Sequence, residues 1–287
     1  MNVMSRRNML AGGASIACGL AVWSEATAQA AQAYTWRTVP FGGGGFVNGF
    51  LYHPKEKDLL YARTDVGGAY RFDPQAKSWI PLTDFLGPDD ADLMGVLAMA
   101  LDPNDPNKLY LACGEYLGEW ARDGAVLCSA DRGNTWSITA LPAGVKLGGN
   151  ADGRGTGERL IVHPTDGKIL FLGTSQDGLF VSRNAGKTFT RIDGLPIKRI
   201  SIVLMDGAGQ ALYVGSAEDQ GGLYKSLDGG ATFALVAGLP KYIPQRAVFD
   251  IDGNLYITLS NGRAPSGGDN GAVYRLDADG GEWRDIS

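Results

Sequence analysis

Residues 226–233 read Ser226-Leu227-Asp228-Gly229-Gly230-Ala231-Thr232-Phe233, and the pattern S-x-D-x-G-x-T-W/F returns in full from Ser129 to Trp136. A third copy, Ser182 to Phe189, carries Asn184 in the aspartate place. The chemistry explains the residue types. An Asp or Asn side chain accepts backbone N–H groups within its own turn, and the glycine adopts the left-handed conformation that the turn needs. The closing aromatic is left to pack between neighbouring sheets. These are Asp boxes, and they recur at intervals of roughly 45–55 residues, the mark of an internal repeat. Degenerate copies end at Trp79 and Trp283. Asp131 and Asp228 are therefore read as structural.

Working outward from these turns, five apolar runs fall into register: Leu60 to Arg63, Leu109 to Ala112, Leu170 to Gly173, Leu212 to Gly215 and Leu255 to Thr258. Each follows another apolar run and a polar turn, and each leads to a third strand and then to the aromatic-ended turn. The chain holds 42 glycines and 13 prolines, and Gly, Asp and Asn clusters end nearly every run. The expected fold is all-β: a β-propeller with Asp-box repeats and about five four-stranded blades over residues 34–287. Such blades suit a seven-bladed ring, so the expected shape is an open arc or part of a larger propeller.

Strand alternation sorts the connections. The turns between first and second strands share one end with the Asp boxes. The connections after the second and fourth strands share the other end, and that end receives every long or glycine-rich loop. Asp65 lies there, after Arg63-Thr64 and before Gly67-Gly68. Functional groups sit preferentially on variable loops held by a rigid scaffold, which makes this the expected ligand end. It also holds Asp92, Glu115, Glu119, Asp123, Asp152, Arg154, Glu158, Arg159 and Asp269, with Phe41, Phe46, Tyr116 and Trp120. Carboxylates among exposed aromatics suit carbohydrate, whose apolar ring faces stack on Trp and Tyr. Cleaving a glycosidic bond needs a proton donor and a second carboxylate.

Other chemistries lack their residues. His53 and His163 sit in matching His-Pro turns on the far end and read as structural. No nucleophile elbow, phosphate loop or metal-spaced cluster occurs, so neither cofactor nor metal is expected. Gly153 to Gly157 imitates a phosphate cradle without the strand and helix that one requires. A net charge of −5 and a pI of about 5.1 argue against nucleic acid or an anionic membrane as partner. Cys113 and Cys128 flank one hairpin and are either a disulfide on one sheet face or two small buried hydrophobes.

Residues 1–33 read as a leader. Ser5-Arg6-Arg7-Asn8-Met9-Leu10 is a twin-arginine pattern, Ala11 to Val22 is weakly apolar, and Ala26-Thr27-Ala28 and Ala28-Gln29-Ala30 suit signal peptidase. The expectation is export by the twin-arginine pathway to the periplasm or exterior.

Three segments carry a resemblance: Gly42 to Asp73 (GGGGFVNGFLYHPKEKDLLYARTDVGGAYRFD), Ser78 to Gly87 (SWIPLTDFLG) and Gly148 to Pro164 (GGNADGRGTGERLIVHP). Together they resemble glycoside hydrolase family 74, the xyloglucan-active endoglucanases and reducing-end-specific relatives. The resemblance implies two seven-bladed propellers facing across a cleft and inverting hydrolysis of a β-1,4-glucan. It implies that Asp65, in the R-T-D-x-G-G-A-Y motif, is the general base. The general acid belongs to the second propeller, and no residue of this sequence takes that role. Tyr116, Trp120 and Arg154 are the expected substrate-binding residues, with Arg154 and Glu158 in a hydrogen-bonded cleft wall. The alternatives are a non-catalytic Asp-box propeller that binds glycan or protein, and, ranked last, a sialidase, for which the arginine cluster and Tyr/Glu pair are missing.

Overall fold

A computed structural model describes residues 44–265 and 267–287; the leader and Phe41 lie outside the described residues. Among the described residues twenty strands form five antiparallel four-stranded sheets, each in simple sequence order. Blade I holds β1 (Val47–Tyr52), β2 (Leu60–Thr64), β3 (Ala69–Asp73) and β4 (Ser78–Pro81). Blade II holds β5 (Val96–Asp102), β6 (Asp105–Cys113), β7 (Ala125–Ser129) and β8 (Ser137–Ala140). Blade III holds β9 (Leu160–Val162), β10 (Leu170–Gly173), β11 (Leu179–Ser182) and β12 (Thr190–Ile192). Blade IV holds β13 (Ile200–Met205), β14 (Leu212–Ser216), β15 (Leu223–Ser226) and β16 (Ala234–Leu235). Blade V holds β17 (Ile243–Phe249), β18 (Leu255–Ser260), β19 (Gly271–Leu276) and β20 (Arg284–Asp285). The five apolar runs of the sequence are the second strands, as expected.

The core consists of four layers between successive blades. Leu59, Tyr61, Leu109, Leu111 and Leu127 fill the first, and Ala98, Tyr110, Leu160, Leu172 and Phe180 the second. Phe171, Leu179, Ile200 and Val214 fill the third, and Ile202, Tyr213, Leu223 and Ile257 the fourth. Burying one such side chain contributes about 1.5–3 kcal/mol. The turn aromatics seal these layers, each against the blade before its own: Trp136 in the first, Phe189 in the second, Phe233 in the third and Trp283 in the fourth. The Trp136 indole N–H also donates to the Leu82 carbonyl of blade I, 2.9 Å away.

The eight-residue turns are built as their sequence demands. Asp131 Oδ1 accepts from Thr135 N and Ser129 Oγ, both at 2.8 Å, and Oδ2 accepts from the Thr135 hydroxyl at 2.6 Å. Asp228 repeats the set, and Asn184 reproduces it with its amide donating to Thr188 Oγ1. His53 Nδ1 accepts N–H bonds from Lys55 and Glu56, so Nε2 carries the proton and donates to Asp102 O at 3.0 Å. His163 bridges to Gly209 O in the same manner. Both histidines pin adjacent blades together.

Cys113 faces the first inter-blade layer and Cys128 the second, so they lie on opposite faces of blade II and both are free. The disulfide reading is excluded by this parity. Burial pushes the Cys128 thiol up to about 11 and the Cys113 thiol further still.

The first and fifth blades meet at the inner rim, where Arg246 Nη2 donates to the Asn48 carbonyl. The outward faces of the same two blades leave Tyr52 71% and Val248 62% exposed. The expected open arc is thus bridged at its inner rim and uncovered along its end faces.

Candidate functional site

Asp65 directly follows β2. Its turn is closed by Thr64, whose hydroxyl donates to Gly68 O at 3.0 Å and accepts from Gly67 N at 2.8 Å. Blade III builds the same turn with Thr174, Asp177 and Gly178, and there Ser175 stands in the Asp65 position. Register places Gly114, Ala217 and Asn261 at the corresponding point of the other three blades. One of the five equivalent positions therefore carries a carboxylate, and the turn does not need it.

The carboxylate is held on both sides. Oδ1 accepts the Phe46 backbone N–H at 2.7 Å, and Oδ2 accepts Arg154 Nε at 3.1 Å. Its side chain is 7% exposed and that of Arg154 25%. A glycine is required at position 45: its φ is +97°, and a Cβ on Gly45 would lie 2.9 Å from Asp65 Oδ1. The Phe46 ring beside it is half exposed.

The neighbouring turns crowd against Asp65. A Cβ on Gly95 would sit 2.6 Å from Glu115 Cα and 2.9 Å from the Asp65 carbonyl oxygen. Gly149 N donates to Gly114 O and Asn150 N to Glu115 O, which tethers the 148–159 segment to the 114–123 loop. That loop displays Tyr116 and Trp120 with ring centroids 5.1 Å apart at 45°, and Trp120 is 75% exposed. The hydrogen bond from Tyr116 to Glu115, with the charge of Glu115, raises the Tyr116 phenol above its ordinary value.

Glu158 does something the sequence does not announce. It accepts Arg63 Nε on both oxygens, at 3.0 and 2.9 Å, the Met99 N–H at 2.8 Å, and Arg246 Nη1 at 3.3 Å. Blades I, II, III and V are thereby tied to one carboxylate near the axis. Burial pushes the Arg63 guanidinium down, and Glu158 opposes that shift. Arg154 and Glu158 do not bond to each other: Arg154 grips Asp65, while Glu158 grips Arg63, two residues earlier and still within β2. The one motif clamps the end of β2 twice.

The remaining carboxylates are mostly engaged. Asp92 accepts Arg122 N, Asp123 pairs with Lys146, Asp152 lies against Arg263, and Asp269 bonds Asn261. Among the described residues no group of three or more His, Cys, Asp or Glu could hold a metal ion. A cavity of about 380 Å³ lies at the other end, beside Lys57, Arg71 and Arg132, and has no part in this site.

Fold and site together define a β-propeller that presents the fixed carboxylate of Asp65 and an aromatic pair on its loop-rich end. No family model matches the chain. It is 44% identical to a xyloglucanase of a Paenibacillus species over 96% of this chain and 30% of that protein. A xyloglucanase of Acetivibrio thermocellus is 38% identical over 88% of this chain and 33% of its own. The solved glycoside hydrolase family 74 xyloglucanase of Xanthomonas campestris superposes with a TM-score of 0.81 and 42% identity, covering 89% of this chain and 39% of that one. The chain belongs to glycoside hydrolase family 74, and it spans about a third of the length of the curated relatives it matches.

Proposed function

We propose that this chain is the base-bearing half of an inverting glycoside hydrolase cleft acting on the β-1,4-glucan backbone of xyloglucan. The observation that carries the reading is the carboxylate at Asp65, placed where the equivalent turns hold Gly114, Ser175, Ala217 and Asn261. A non-catalytic propeller has no use for that group, since Thr64 already closes the turn. As general base, Asp65 takes the proton of a water that attacks the anomeric carbon from the face opposite the leaving group. Arg154 and the Phe46 N–H orient the carboxylate for that role. In this reading Arg154 Nη2 donates to substrate hydroxyls, while Nη1 donates to the Ala151 carbonyl at 3.4 Å.

Phe46, Tyr116 and Trp120 supply apolar surface for sugar rings. Inversion also needs a second carboxyl, roughly 6.5–9.5 Å from the first, to protonate the leaving oxygen. The proposal assigns that acid to no residue of this chain. Export through the twin-arginine route belongs to the same proposal, since the polymeric substrate is extracellular.

The test is calorimetric titration of the chain with xyloglucan oligosaccharides, paired with product analysis by NMR. Saturable binding with negligible turnover is expected. No binding at millimolar oligosaccharide, or hydrolysis that survives Asp65→Ala, would overturn the reading.

A further inference from the structure

Most arginines at the loop-rich end meet a carboxylate: Arg63 and Arg246 meet Glu158, Arg154 meets Asp65, and Arg263 meets Asp152 and Asp219. The guanidinium groups of Arg159 and Arg199 meet none among the described residues, although the Arg199 backbone N–H donates to Glu218 Oε1 at 3.1 Å. Both line one pocket of about 160 Å³ between blades III and IV, together with Arg263, Ser175, Gln176 and one carboxylate, Asp152, which is paired with Arg263. Leu117, Ile200 and Ala217 supply its apolar wall.

Arg159 is the unusual member. It is 2% exposed, its Nε has no hydrogen-bond partner, and its other nitrogens reach only neutral oxygens: Ser175 Oγ at 3.0 Å, Thr156 Oγ1 at 2.7 Å and Gly153 O. A buried cation without a counter-ion is costly, and an anion beside it removes that cost. Arg199 is exposed at the mouth, where no side-chain partner among the described residues restrains its guanidinium. Arg263 is held at the rim by its exposed carboxylates and by the Ala217 carbonyl. The site lies on the far side of the Gly153 loop from Asp65, since Arg154 points to Asp65 while Gly153 lines the pocket.

We propose that this pocket is an oxyanion subsite that takes the carboxylate of an acidic sugar or small organic acid. A planar guanidinium matches a carboxylate in charge and geometry, and Ser175 and Gln176 supply hydrogen bonds for adjoining hydroxyls. The volume falls below the roughly 300–1,000 Å³ of sites for drug-sized ligands, so the pocket admits one acidic group and not a length of chain. This goes beyond hydrolysis of a neutral glucan and does not depend on it: the pocket binds an anion whether or not Asp65 acts as a base.

The full chain is titrated by calorimetry with glucuronate, digalacturonate, inorganic phosphate and, as the neutral control, glucose. Saturable binding of the anions and none of glucose is expected. Arg199→Ala weakens binding about tenfold or more, the worth of one charge-assisted hydrogen bond, and Arg199→Glu abolishes it. Arg199 is exposed, so both variants fold, which circular dichroism checks. Tighter binding of digalacturonate than of the monomeric anions assigns the site to acidic polysaccharide, whereas equal or tighter phosphate binding assigns it to free anions; either upholds the subsite. No saturable anion binding, or binding unchanged in Arg199→Glu, overturns it.

Discussion

Ser175 occupies in blade III the position that Asp65 occupies in blade I, each following a threonine whose hydroxyl closes the same turn. The protein itself thus shows that this turn folds without a carboxylate. Asp65→Ser is expected to yield a folded propeller. It leaves the Phe46 N–H and Arg154 short of a partner, at a cost of about 1–3 kcal/mol. For a domain of this size that lowers the thermal midpoint by roughly 2–4 °C per kcal/mol. A thermal melt followed by circular dichroism decides the matter, and an unfolded variant would show that the turn needs the Asp65 carboxylate.

Glu158 joins four blades through Arg63, the Met99 N–H and Arg246, and its side chain is largely buried. Removing one partner of a buried pair leaves the others uncompensated, which costs about 3–5 kcal/mol. Glu158→Ala is expected to lower the midpoint of urea unfolding far more than Asp90→Ala. The latter breaks an exposed pair with Arg122, of a kind worth about 0–1 kcal/mol. Equal effects of the two substitutions would show that the clasp at the axis is not what joins the blades.

The repeat was legible because its signals are local. A turn such as Ser226 to Phe233 contains its own donors and acceptors, and the apolar second strands announce themselves by composition alone. Asp65 could be placed on the correct end by strand alternation, and its link to Arg154 joins two segments that the sequence marked. Arg63 and Arg246 stayed hidden for a physical reason. Their partner, Glu158, is 95 residues from one and 88 from the other, and nothing in a strand sequence says which blades converge on the axis. The cysteine pair shows the same limit in miniature. Cys113 and Cys128 are close along one hairpin, yet face parity separates them, and parity depends on a register that spacing alone does not determine.

Acid should weaken the propeller through its structural turns. The Thr135 hydroxyl and N–H hold the Asp131 carboxyl down to about 2, from an ordinary value of 3.8, and Thr232 does the same for Asp228. A folded value below the unfolded one contributes stability above the unfolded value, and that stability is lost as pH falls toward the folded value. The window therefore runs from just above pH 3.8 down to about 2. Asn184 shows that an amide fits the same turn. The double variant Asp131→Asn, Asp228→Asn should melt below the native protein at neutral pH, and the gap should close across that window. A gap that stays constant down to about pH 2 would rule out these carboxylates as its source.

Trp120 offers the cleanest separation of binding from folding. Its ring is mostly exposed, tilted against Tyr116 and packed over Gly118, where a Cβ would lie 2.3 Å from the indole nitrogen. Substitution therefore removes surface without opening a core. A stacked sugar ring loses its apolar partner in Trp120→Ala, and a loss of about 1.4 kcal/mol weakens a xyloglucan oligosaccharide about tenfold. Trp120→Phe keeps an aromatic face and should retain most of the affinity. Ile251 is fully exposed in a turn at the opposite end, so Ile251→Ala controls for loss of exposed apolar surface as such. Calorimetry on the three variants, with melting temperatures recorded alongside, distinguishes the outcomes. Affinity that falls in Trp120→Ala alone, at an unchanged melting temperature, locates the glucan on the loop-rich end. Equal affinities in all three variants would remove Trp120 from the site.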